Sequence, residues 1–178
     1  MSTYNRADAT LGSLAAALGI LVVLLLAVVG VMRARQVEHI PSVDYGPDAA
    51  VVADQADYTA YAPEDLPEGW VPTSTRLTTG DTVTWVLGFA TPEDRHAEFA
   101  ISDGDPEAFV AETTEGGTAD GTAEAGGHTW DRYTSADADR RALVRTDGDA
   151  VLVVAGGSDY AELAELAAAL RPEDGAGG

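Results

Sequence analysis

Two hydrophobic patterns divide the chain. From Leu11 to Met32 it reads LGSLAAALGILVVLLLAVVGVM, 22 residues without a charge, and Leu, Val, Ile and Ala fall on every side of the helical axis. At about 1.5 Å per residue such a helix is long enough for the roughly 30 Å hydrocarbon core of a bilayer. A buried core helix would be shorter and apolar along one stripe only. The pattern therefore predicts a transmembrane helix over 11–32, contacting the lipid bilayer, after a short tail at 1–10. The rival is a cleaved secretory signal, which has a shorter apolar run followed by a small-x-small site. Gly30-Val31-Met32-Arg33-Ala34-Arg35 offers no good Ala-x-Ala there, so an uncleaved anchor is favoured. Arg6 and the α-amino group before the span face Arg33 and Arg35 after it, and the local charge rule does not decide the orientation.

Beyond the span the periods shorten. Residues 33–56, with Pro41, Pro47 and scattered acids but no sustained period, read as a juxtamembrane linker. A folded domain is predicted over 57–171, ending in a frayed tail at 172–178. Val83, Trp85, Leu87 and Phe89 alternate at period two, which gives a strand with one buried face, paired to residues 73–78 through Thr79-Gly80-Asp81. Further strands are expected at 58–62, 95–102, 128–135, 140–146 and 150–154, the last two joined by Asp147-Gly148-Asp149. Asp105-Pro106 opens a helix as N-cap and N1 and should bury Phe109, Val110 and Thr113. Leu163, Leu166, Ala167 and Leu170 define a closing helix behind the caps Ser158 and Asp159. Glu115 to Gly127, with five glycines, reads as a mobile loop. Strands in hairpin succession pair antiparallel, so the fold class is α+β: an antiparallel sheet of about six or seven strands with two helices packed on it.

Charge changes the picture of what this domain can touch. Residues 36–178 hold 29 of the 30 acidic residues and seven of the ten arginines, a net of −22. Such a surface is soluble and self-repelling, and nucleic acid is excluded as a partner because phosphate binding needs clustered cations. All ten basic residues are arginine and none is lysine, so Schiff-base and P-loop lysine chemistry are absent too. With no cysteine in the chain there is no disulfide, thiolate metal site or thiol nucleophile.

Candidate chemistry is thin. His39, His96 and His128 have no i, i+4 pairing on a helix, although His96 and His128 could meet in space. Asp103 as the first position of a calcium loop would place Ala108 at the glycine position and Thr114 at the bidentate glutamate, so Ser102 to Asp105 reads as a turn and a helix cap. Gly156-Gly157-Ser158 is not a nucleophile elbow. Carboxylate pairs such as Glu64/Asp65 and Glu93/Asp94 read as surface charge. No catalytic, cofactor or metal residues are assigned. Trp85 belongs to the core by its alternation, whereas Trp70, after a Pro-x-Gly turn, and Trp130 are candidates for a ligand or partner surface.

Leu66-Pro67-Glu68-Gly69-Trp70-Val71-Pro72-Thr73-Ser74, Trp85-Val86-Leu87-Gly88-Phe89 with Thr91-Pro92, Phe109-Val110, Gly127-His128-Thr129-Trp130, Arg141-Ala142-Leu143-Val144 and the Glu162-Leu163 helix together carry a resemblance. They look like an uncharacterised family of actinobacterial single-pass membrane proteins, classed as a domain of unknown function. The resemblance implies an anchored extracytoplasmic domain and supplies no activity. Members are usually more basic before the anchor, where this chain has only Arg6. The order of elements is also similar to that of the Mog1/PsbP-like α+β proteins, several of which are non-enzymatic binding or assembly factors. The expected function is thus a non-enzymatic binding or assembly module at the cell envelope, with an envelope protein or ligand as partner. Two alternatives stand beside it: a hydrolase or carbohydrate-active enzyme using Asp or Glu near Trp70 or Trp130, and a domain responsive to divalent cations through its acidic surface.

Overall fold

In a computed structural model the chain divides into two units, Met1–His39 and Ile40–Gly178. The structure describes residues 18, 19, 21–23, 25 and 42–173. In the first unit those six residues are helical and exposed. The expected span over 11–32 lies for the most part outside the described residues. Among the described residues no helix is long and apolar enough to cross a membrane.

The second unit is α+β. Its core is an antiparallel sheet of seven strands, β2 (Val71–Thr78), β3 (Thr84–Ala90), β4 (His96–Ser102), β5 (Thr118–Ala125), β6 (His128–Thr134), β7 (Arg141–Asp147) and β8 (Ala150–Gly156), in the order β2-β3-β4-β8-β7-β6-β5. A separate two-stranded ribbon pairs β1 (Tyr61–Pro63) with β9 (Leu170–Pro172). Three helices accompany the strands: α1 (Gly46–Gln55), α2 (Pro106–Thr113) and α3 (Tyr160–Ala169).

The period-two pattern assigns the faces. Trp85 stands opposite Ile101 and Leu87 opposite Phe99, while Phe99 and Ile101 in turn face Val154 and Leu152 across the β4–β8 ladder. All six are fully buried, together with Trp130 and Leu143, under Leu163 and Leu166 of α3 and Val52 of α1. The aromatic rings meet edge-on, Trp85 with Phe99 at a centroid separation of 6.3 Å and Trp70 with Phe89 at 6.2 Å. The opposite face is far lighter. Its buried apolar residues are Ala100 and the cluster of Ala142, Val144, Val151, Val153 and Ala155, on which, among the described residues, Phe109, Val110 and Tyr133 pack.

Three expectations are corrected. Residues 46–55 of the expected linker are a helix, because Ala49 and Val52 bury against the heavy face while Tyr45 packs on Trp85 and Phe89. That helix makes three helices on the sheet rather than two. The expected glycine-rich loop contains an eight-residue edge strand, β5, which the ladder to β6 stabilises despite almost complete exposure. Gly121, at φ +90°, occupies the register shift within that ladder, a left-handed conformation that glycine adopts without strain.

Candidate functional site

Helix α2 decides where the light face is open. Asp105 caps it by accepting a hydrogen bond from the Ala108 amide at 2.7 Å, and Pro106 follows in the first turn, where its missing N–H costs nothing. The helix ends after eight residues at Thr114, whose hydroxyl turns back to the Val110 carbonyl at 2.7 Å, and Gly116 at φ +70° reverses the chain. So short an element cannot roof seven strands. Phe109 and Val110 are half-buried, as is Thr113, so none of the three is enclosed as the sequence predicts; Thr114 is the buried one.

A cleft of about 480 Å³ opens on each side of α2. Arg76 and Thr78 of β2, Thr84 and Val86 of β3, and Glu98 of β4 line the first beneath Phe109. Arg140 closes its end. The guanidinium pairs with Glu98, donates from Nε to the Thr113 carbonyl at 2.9 Å and stands 3.6 Å from Glu115. Side-chain exposures of 17% and 21% make the Arg140–Glu98 pair less screened than an ordinary surface pair. It places a cation at the carbonyl end of α2, where the helix dipole favours one, and straps that end to β4. With its donors so engaged, Arg140 acts as a clamp.

The second cleft has a more apolar lining. Tyr133, Val144 and Val151 form its floor and Val110 and Ala111 its helical wall. Glu107 and Asp131 stand at its margin, and no ion pair among the described residues engages either carboxylate.

Neither Trp70 nor Trp130 presents the surface expected of it. Trp70 is 7% exposed and Trp130 1%. Gly69 at φ +99° turns the Trp70 indole inward onto Phe89, and its Nε1 donates to Glu165 at 3.3 Å. The Trp130 Nε1 donates to the Ala125 carbonyl at 3.2 Å, and the Arg145 guanidinium lies 5.3 Å from its ring. Each indole satisfies its N–H and fills core, which is what a buried tryptophan requires. His96 and His128 are both exposed and lie on β4 and β6, with β8 and β7 between them, so they do not meet. His39 lies outside the described residues. The Ser102–Asp105 segment is a turn and cap as expected: Asp103 accepts from the Val83 amide at 2.8 Å and Ser102 from that of Gly104 at 3.1 Å. Among the described residues no three His, Cys, Asp or Glu side chains come together as a metal site.

The family described as Protein of unknown function (DUF4245) matches residues 6–170. This chain belongs to that family. No curated protein matches it. Among solved structures, a crystal structure of MucB in complex with MucA(peri) is similar at 17% identity and a TM-score of 0.38, over 64% of this chain. The match spans 36% of that protein's length.

Proposed function

We propose that this family member is a membrane-anchored, non-enzymatic binding module whose globular unit works outside the cytoplasmic membrane, at the cell envelope. The observation that carries the binding part is the half-roofed face of the sheet. Two clefts of about 480 Å³ flank α2, a size within the roughly 300–1,000 Å³ range of ligand sites. The other face already buries the aromatic core, so ligand contact on the light face leaves the main source of stability untouched. The uncharged stretch at 11–32 supports the anchor, since about 20 apolar residues suffice to span.

The absence of native cysteine makes the location directly testable. Ser135 is buried and accepts a hydrogen bond from the Arg140 amide, so the probe belongs on its exposed neighbour as Ala136→Cys. Intact cells are treated with a membrane-impermeant maleimide before and after lysis, and the protein is assayed for the label. Labelling without lysis is expected. Labelling only after lysis, on protein that fractionates with the membrane, would refute the extracytoplasmic reading.

A further inference from the structure

The two clefts differ in chemistry, and the difference selects a ligand. In the first, Arg76 and Arg140 share the walls with Glu98, Glu112 and Glu115, and the half-buried Arg140 is already engaged. The second has an apolar floor of Val144, Val151 and Tyr133, while its charged lining residues, Glu107 and Asp131, are both anionic and unpaired among the described residues. Register puts Asp131 directly beside Val144, so a carboxylate adjoins the apolar floor. Across the groove, Glu107 lies in the first turn of α2.

Resting on the binding-module reading above, we propose that the groove between α2 and β6–β7–β8 docks a short segment of a partner protein in which apolar side chains are flanked by arginine or lysine. The apolar residues occupy the floor over Val144 and Val151, and the flanking cations meet Glu107 and Asp131. This follows the common division in which buried apolar anchors supply binding energy and rim charges supply orientation and selectivity. Charge complementarity decides among occupants. Residues 36–178 carry a net charge of −22, which repels anionic lipid headgroups, nucleic acid and acidic peptides from a groove whose own rim is anionic. Two exposed carboxylates each contribute little to affinity but penalise a like charge, so discrimination between basic and acidic segments is the sharper signature.

The test uses the full chain in nanodiscs of phosphatidylcholine and three fluorescein-labelled peptide amides: Arg-Leu-Leu-Leu-Arg, Glu-Leu-Leu-Leu-Glu and Arg-Ser-Ser-Ser-Arg. Fluorescence anisotropy is expected to show saturable binding of the first and at least about tenfold weaker binding of the other two. Ala111→Trp, an exposed position on the helical wall, fills the groove and abolishes binding. Thr78→Trp, in the other cleft, leaves the dissociation constant unchanged. Joint replacement by Glu107→Gln and Asp131→Asn weakens binding roughly fivefold and flattens its dependence on salt. Equal binding of the serine peptide would reduce the effect to general surface charge and overturn the proposal. So would absence of saturable binding, or equal loss in the Thr78→Trp and Ala111→Trp variants. Maleimide labelling of Ala136→Cys is indifferent to these outcomes, so failure of the groove and failure of the envelope location are told apart.

Discussion

The two faces of the seven-stranded sheet share strands, ladder hydrogen bonds and register, and differ in what covers them. The heavy face carries Trp85, Phe89, Phe99 and Trp130 under two helices and the β1–β9 ribbon. Among the described residues the apolar side chains buried on the light face are alanines and valines alone, and helix α2 on it encloses none of its own residues. Packing energy scales with buried apolar area, so the fold is held chiefly from one side. The lesson is a division of labour: a sheet anchored by one face can leave the other free to exchange contacts, and it is on that other face that the clefts lie.

This comparison breaks most readily at Trp85. Trp85→Ala empties a fully buried site where the indole also donates to Thr75 at 3.0 Å, and should cost about 3–5 kcal/mol in urea unfolding. Val153→Ala, equally buried on the light face, should cost roughly 1–2 kcal/mol. Equal losses would mean that both faces hold the fold alike. Asp105→Ala removes the cap of α2 and should cost about 1 kcal/mol, expressed as faster amide exchange in α2 with β3 and β4 protected as before. If exchange accelerates across the whole sheet, the helix is part of the main cooperative unit.

The smallest effect is one of pH. Burial, with the nearby Asp103 carboxylate, raises the Tyr58 phenol above its ordinary value, and its hydroxyl donates to the Val83 carbonyl at 3.0 Å. A raised phenol favours the neutral form in the folded state. Its contribution is present in full below the unfolded value of about 10 and is lost as pH rises from there through the higher folded value. Tyr58→Phe should therefore lose about 1 kcal/mol at pH 7 for the missing hydrogen bond, and the gap to the parent should narrow above pH ~10. A gap that stays constant across that range would show Tyr58 to be indifferent to ionisation.

Legibility in the sequence follows the same two faces. Strand β3 and helix α3 announce themselves because a buried face imposes a period, β8 because burial on both faces leaves a continuous apolar run, and Asp105-Pro106 marks the start of α2 by chemistry that is local. Helix α1 hides because only Ala49 and Val52 are buried and Tyr45 offers no side-chain cap, so the tertiary contact, not the pattern, makes the helix. Strand β5 hides for the opposite reason: as an exposed edge it has no apolar face to impose alternation. The first cleft depends on Arg140 meeting Glu98 across 42 positions, and no local spacing encodes that encounter. The inward turn of Trp70 likewise rests on one backbone angle at Gly69, which composition does not reveal.

The β1–β9 ribbon has a mechanical meaning. Tyr61–Pro63 pairs with Leu170–Pro172 over three registered positions, and the bonds from Glu64 to Ala169 and from Glu173 to Ala60, both 2.9 Å, extend it by one step at each end. Tension between residue 60 and residue 173 is borne by these few rungs and bypasses the seven-stranded sheet. Stretched between those points, the domain is expected to yield first at a weak, early step that spares the sheet, making the ribbon a fuse for the fold it closes.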